Sequence, residues 1–240
     1  MLVSEALLLD WRDYLKKFPD KFFDLAVVDP PYGINAPNLP MGSCPNRNTN
    51  GQYPSVSTAK RLKGRLNTGG GKLKNRLLNN SEFDWDNEKP ELDYFIELFR
   101  VSKNQIIWGG NYFPLPPTRC VLCWDKCQPW ENFSQWEMAW TSFDSPAQIF
   151  KFSNTGGSNI EKKIHPTQKP IELYSWLFSK YAKKDMKILD THLGSGSSRI
   201  AAHKAELDFY SCEINKTYFL DQEKRYKLHS SIGIIRFPNT

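Results

Sequence analysis

Short apolar runs that alternate with helical stripes constrain this chain more than any other feature. FFDLAVVD (22–29), NQIIWGG (104–110), KILD (187–190) and DFYSCEI (208–214) are brief, apolar and rich in β-formers. Such runs suit strands buried on both faces. Helical spacing follows or precedes them. Leu92, Phe95, Ile96 and Phe99 form a stripe in ELDYFIELFRVS (91–102), and Ile171, Tyr174, Leu177, Phe178 and Tyr181 form another behind Pro170. GSGSSRIAAHKAE reads as a Gly-rich turn opening a helix, and KTYFLDQEKRYKLHSS as a final helix. Near the start, Trp11, Tyr14, Leu15 and Phe18 share a helix face, with Asp10 at the N-cap position and Pro19-Asp20 as the stop. CVLCW (120–124) and EMAWTSF (137–143) are further strand candidates. The pattern predicts an α/β fold, a mostly parallel sheet with helices on both faces. The 240 residues suit a single domain over 1–240.

Charge singles out one segment. Residues 36–80 carry Arg47, Lys60, Arg61, Lys63, Arg65, Lys72, Lys74 and Arg76 and no acid, so they exceed the net charge of +6 by themselves. The rest of the chain is slightly acidic. A long, basic, Asn- and Gly-rich loop inserted in such a body points to a polyanion, the plain alternative being a solvated loop. No apolar run approaches the ~18 residues of a membrane helix. The N-terminus lacks the basic start of a secretory signal. Five cysteines, an odd count, then suggest reduced thiols and a cytoplasmic protein. Cys120, Cys123 and Cys127 have a spacing that zinc could use, but a strand at VLCWDK would point Cys120 and Cys123 to opposite sides, which favours buried thiols.

Two stretches carry chemistry. In KILD-THL-GSGSS, an acid (Asp190) ends a strand and Gly194 and Gly196 open a helix, an arrangement that lets a ligand approach backbone N–H groups. The second half of the dinucleotide fingerprint is missing and no Lys follows, so this is not a phosphate-cradling loop. Glu213 ends the next strand, 17 residues after Gly196. An acid there can accept both hydroxyls of a ribose, which favours a nucleoside-type ligand. IHPTQKP (164–170) places His165, Thr167, Gln168 and Lys169 between prolines, with hydroxyl and ammonium donors suited to a carboxylate. It also reads as an ordinary helix entry.

The second stretch is DPPY (29–32), directly after the first strand. An exocyclic amino group on a base is a poor nucleophile because its lone pair is delocalised. Two acceptors facing its hydrogens would free that pair. Asp29 supplies one, and the Pro30 carbonyl, constrained by Pro31, supplies the other. Tyr32 offers a ring to stack on a base turned out of the helix.

DPPYG, HPTQKP and ILDTHLGSGSS…EIN, in this order, resemble the S-adenosylmethionine-dependent amino-methyltransferases of DNA, in the circularly permuted beta arrangement. The likeness runs from Asp10 to about Tyr226, the 36–80 segment apart. It implies a Rossmann-like methyltransferase sheet and S-adenosylmethionine as methyl donor. It implies that Asp29, Pro30, Pro31 and Tyr32 are catalytic. Asp190, Gly194, Ser195, Gly196, Ser197 and Ser198 would cradle the donor's methionine part, Glu213 would hold its ribose, and Asp10 would lie near its adenine. Thr167, Lys169 and His165 would hold its carboxylate. The partner would be double-stranded DNA, met by the basic residues of 36–80, with no membrane. A small chain has little surface for target reading, which suggests a homodimer, and the family leaves room for a restriction endonuclease counterpart. One departure is Thr191-His192, where the family commonly has Pro-Phe. Asp at the first motif position leans toward adenine N6, while cytosine N4 stays the alternative. A catalytically silent DNA-binding relative, or an enzyme of RNA or protein amides, are further readings. NFSQWEMAW (132–140) reads equally as pocket wall or core, and EFDWDNEKP (82–90) as a helix entry.

Overall fold

The computed structural model describes residues 2–34, 65–66, 76–77, 86, 88–127, 134–153, 163–165 and 167–232. The chain runs β1 (Ser4–Leu8), α1 (Trp11–Leu15), β2 (Phe23–Val28), β3 (Arg65–Leu66), β4 (Arg76–Leu77), α2 (Leu92–Val101), β5 (Ser102–Trp108), β6 (Val121–Asp125), β7 (Trp136–Thr141), β8 (Gln148–Lys151), α3 (Ile171–Tyr181), β9 (Lys187–Asp190), α4 (Ser197–Lys204), β10 (Asp208–Glu213) and α5 (Lys216–Ile232). Eight strands form one sheet in the order β1-β10-β9-β2-β5-β7-β6-β8. From β1 to β5 all pairs are parallel, whereas β7 runs antiparallel to both β5 and β6. The expected mostly parallel α/β sheet is present, and every strand and helix read from the sequence lies within a residue or two of its observed place, α1 apart, which ends at Leu15, ahead of the expected stop.

Alternating side chains explain the two covering layers. Leu25 and Val27 of β2, Ile106 and Trp108 of β5 and Ile188 of β9 face one side, where Leu173 and Leu177 of α3 and Ile200 and Ala201 of α4 pack. Ala26, Val28, Ile107 and Leu189 face the other, against Tyr14 and Leu15 of α1 and Tyr94, Phe95 and Leu98 of α2. Two strands of the eight-stranded sheet are absent from the sequence reading, as is the short β3–β4 pair within the segment read as a loop. β1 and β8 are both edge strands, β1 held by parallel pairing with β10 and β8 by pairing with β6. Among the described residues no helix is long and apolar enough to cross a membrane.

Of the basic residues expected to meet DNA, Arg47, Lys60, Arg61, Lys63, Lys72 and Lys74 lie outside the described residues. Arg65 and Arg76 sit in a two-strand antiparallel pair, with Arg65 opposite Leu77 and Leu66 opposite Arg76.

Arg199 binds three elements together. From α4 its guanidinium donates to Ser4 Oγ (3.1 Å) and Ser4 O (3.0 Å) of β1 and to Gln222 (3.2 Å) and Glu223 (2.5 Å) of α5. The Arg199→Leu variant strands these acceptors. It is expected to lose about 3 kcal/mol of unfolding free energy, read as a lower midpoint in urea denaturation.

Candidate active site

The strands β2 and β9 are neighbours, yet the chain leaves them in opposite directions, β2 through α2 to β5 and β9 through α4 to β10. Beyond the C-terminal ends of strands at such a reversal lies a crevice that suits ligands. Asp29 follows β2 and Asp190 ends β9, so both sequence motifs meet there.

On the β2 side, the DPPY turn is held from several elements. Buried Asp86 accepts from the backbone N–H of Tyr32 (2.6 Å) and of Gly33 (3.0 Å) through one oxygen. Tyr32 donates its hydroxyl to Asp29 Oδ1 (2.7 Å) and stacks on Tyr112, with ring centroids 4.9 Å apart and planes 15° apart. Gly109, just after β5, lies under that ring. A Cβ there would come within 2.2 Å of Tyr32, and φ is +69°. Glycine is required on both counts. Tyr32, Gly33, Glu88, Lys89, Glu91 and Tyr112 line an open cleft of about 470 Å³.

Lys169 is the main departure from expectation. The sequence reading placed it on the donor's carboxylate. In the structure its ammonium binds Asp29 Oδ2, reaches Glu137 Oε2 at 3.3 Å and lies 3.4 Å from the Tyr32 hydroxyl. Its residue is 3% exposed. Burial pushes the Asp29 carboxyl up, against the pull of Lys169. Burial would lower the Lys169 ammonium, but Asp29 and Glu137 outweigh it and raise it. Burial would likewise raise Glu137, yet Lys169 and Lys126 hold it at about 2. Lys169 is therefore a charged partner of Asp29 here.

On the β9 side, Gly194 and Gly196 both have positive φ (+50° and +72°), and α4 starts from Gly196. Asp190 accepts from His192 N (3.0 Å) and Ser198 Oγ (2.6 Å). Glu213 accepts from Gly194 N (2.7 Å) and Asn215 N (2.8 Å), so the second-strand acid sits directly on the Gly-rich turn. His165 lies across from Gly194, where a Cβ would be 3.7 Å from its ring, and its Nδ1 is 3.2 Å from the Thr167 hydroxyl. The two halves of the expected donor site are thus adjacent. Ser197 and Ser198 hydroxyls are taken up within the protein: Ser197 donates to Lys169 O (2.7 Å) and Ser198 to Asp190. Ser195 Oγ pairs with Ser197 Oγ (3.2 Å). Asp10 is the observed N-cap of α1, accepting from Arg12 N at 2.7 Å.

Burial drives His192 down to about 3, leaving a neutral ring, and Thr191 and Tyr94 hold it. Tyr94 also reaches Thr191 Oγ1 at 2.7 Å, which joins α2 to the end of β9. Arg225 of α5 donates to Ser195 O (2.7 Å) and to Ser197 Oγ (2.9 Å) beneath the turn. The sequence reading missed Glu137, Asp86, Gly109 and Arg225. Glu137 lay in a stretch read as pocket wall or core, and Asp86 in one read as a helix entry. Cys120, Cys123 and Cys127 are free thiols, Cys120 buried and Cys127 exposed.

Comparisons with known proteins find DNA methyltransferases both in sequence and in fold. A family model described as DNA methylase matches residues 126–224. The chain is 27% identical over 141 residues to the type II methyltransferase M2.MboI of Moraxella bovis, covering 59% of this chain and 46% of that protein. It spans less than half the length of that relative. In fold it resembles the M1.HpyAVI–SAM complex, with a TM-score of 0.52, 16% identity, and 94% of this chain and 100% of that one covered. It also resembles the PvuII DNA methyltransferase (cytosine-N4-specific), with a TM-score of 0.56, 12% identity, and 96% and 92% covered. Over part of its length the chain is similar in sequence to DNA methylases and type II methyltransferases. Its fold is the one shared with these methyltransferases, and the DNA methylase model includes Lys169, the Gly-rich turn and Glu213.

Burial, with Asp29 and Glu213 nearby, pushes the Asp190 carboxyl up to about 7, against its bonds to Ser198 and His192. An unfolded aspartate ionises near ~4. Asp190 therefore contributes stability that is complete below about pH 4 and is lost as pH rises to about 7. In Asp190→Asn, the decline in unfolding free energy between pH 4 and 7 should flatten by a few kcal/mol, on the order expected from linkage. Urea titrations across that range check it.

Proposed function

We propose that this chain transfers a methyl group from S-adenosylmethionine to the N6 amino group of adenine in double-stranded DNA. The observation that carries this reading is the juxtaposition of Asp29 with the Asp190 and Glu213 turn across one crevice. The donor set fits a nucleoside with an amino-acid tail. Glu213 is a buried acceptor at the second strand end, Gly194 and Gly196 bring backbone close, and His165 and Thr167 stand opposite. S-adenosylmethionine held there would supply an activated methyl, whose transfer to the amino nitrogen would leave the C–S electron pair on sulfur and a proton to be lost from nitrogen.

The chain's own residues orient and protect. Asp29 and the Pro30 carbonyl accept from the target amino group, and Tyr32 offers its ring once the base is turned out. In-line placement of nitrogen, carbon and sulfur supplies most of the rate. The basic residues of 36–80 would neutralise phosphates and make affinity fall steeply with salt. A homodimer and a restriction endonuclease counterpart belong to the same proposal.

Incubation with unmethylated DNA and donor, followed by digestion to nucleosides and mass analysis, tests the reading. N6-methyladenine is expected. N4-methylcytosine would replace the target base, since the DNA methylase model does not separate the two chemistries and the PvuII enzyme is itself cytosine-N4-specific. Asp29→Ala should abolish methylation while leaving donor affinity, measured by calorimetry, within a few-fold. Equal loss of both would remove Asp29 from the base side.

The Gly109→Ala variant tests the Tyr32 position separately. The added methyl would displace the ring, so kcat should fall at least about tenfold while donor binding is kept.

A further inference from the structure

Asp29 is the inner end of a run of alternating charges. Lys169 binds Asp29 Oδ2 and Glu137 Oε2, and Glu137 Oε1 takes Lys126 Nζ at 2.5 Å. The four groups come from the end of β2, the entrance to α3, the start of β7 and the end of β6. Lys169 also lies over aromatic faces, 5.3 Å from the Trp108 ring centroid and 5.8 Å from that of Tyr32. Packed ion pairs of this kind are a poor way to gain stability, because desolvation offsets much of the attraction. Their arrangement suits control of charge at one atom.

We propose that Glu137 is a positioning residue that sets the proton affinity of Asp29 by sharing Lys169 with it. This rests on the methyltransferase reading above. An ammonium held by Asp29 alone would neutralise it and make it a weak acceptor. No ammonium would leave a buried carboxyl protonated. Divided between two carboxylates, Lys169 keeps Asp29 ionised and still able to take a proton. In that step an N–H bond of the methylated, cationic amino group breaks and its electron pair stays on nitrogen. The proton binds an Asp29 oxygen and then passes to solvent.

Asp29 is faced by Lys169, by Glu137 of β7, by Asp190 of β9, by Tyr32 of its own turn, by Tyr94 of α2 and by Tyr174 of α3. The three tyrosines are pushed well above their usual range by burial and stay neutral. Among the described residues, Lys169, Glu137 and Asp190 are then the charges that Asp29 meets.

The test is a carboxyl carbon-13 NMR titration of Asp29 in the full chain without donor or DNA, the signal assigned by its loss in Asp29→Asn. Glu137→Gln should lower the Asp29 midpoint by about one pH unit, and Lys169→Met should raise it by at least as much. In the methylation assay the acid limb of kcat should follow, with kcat of Glu137→Gln down about three- to tenfold and KM for DNA unchanged. If Glu137→Gln does not fold, Lys126→Gln at the outer end carries the test, with an upward shift expected. An unchanged midpoint in a folded Glu137→Gln or Lys126→Gln protein, or an upward shift in Glu137→Gln, overturns the proposal. Methylation with no such shifts sinks this inference alone. The expected shifts with no methylated nucleoside sink the methyltransferase reading and leave the coupling standing.

Discussion

The reversal of winding between β9 and β2 is the constraint on which the site depends. Parallel strands end at one edge of the sheet, and α2 and α4 leave that edge toward opposite faces. The backbone at the ends of β2, β9 and β10 is therefore left to loops. Those loops cannot be apolar, because their N–H and C=O groups have no strand partner. The chain meets this with carboxylates. Asp86 takes two amides of the DPPY turn, Glu213 takes Gly194 and Asn215, and Asp190 takes His192. The same oxygens that finish the fold make the crevice strongly acidic.

So many acids in one place must be balanced. Asp190 and Glu213 are both raised by burial, which means the unliganded crevice resists carrying full negative charge. A cationic ligand relieves that cost, and a sulfonium donor is such a ligand. On the β2 side the balance is internal, since Lys169 stands between Asp29 and Glu137 and Lys126 pairs with Glu137 at the outer end. The crevice thus has one half prepared for an incoming positive charge and one half already neutral. A neutral amino group on a base suits the second.

How much of this was legible in the sequence follows from the range of each interaction. β2, β9, β10 and the Gly-rich turn are local patterns, so periodicity and glycine placement located them. β1 was not legible, because Ser-Glu-Ala-Leu-Leu holds helix formers and becomes a strand only through its register on β10, Ser4 opposite Phe209 to Leu8 opposite Glu213. β8 depends in the same way on β6. In the site, DPPY and Glu213 were legible as motif positions. The partner of Lys169 was not, since Asp29 lies 140 residues away and the loop before α3 could face either motif.

Glu137 shows the same limit most clearly. It lies at the start of β7, one residue after Trp136, and in a parallel sheet the start of a strand lies at the edge away from the ligand. β7 is antiparallel to β5, with Trp108 opposite Ala139 and Ile106 opposite Thr141. Its start therefore extends past the end of β5, over the crevice and toward Lys169. Strand direction, which no local spacing reveals, converts a residue of ambiguous core or wall character into a charged neighbour of Asp29. Extending the sheet past β5 with a reversed strand thus does more than cover its edge: it brings a second carboxylate to the ammonium that Asp29 contacts.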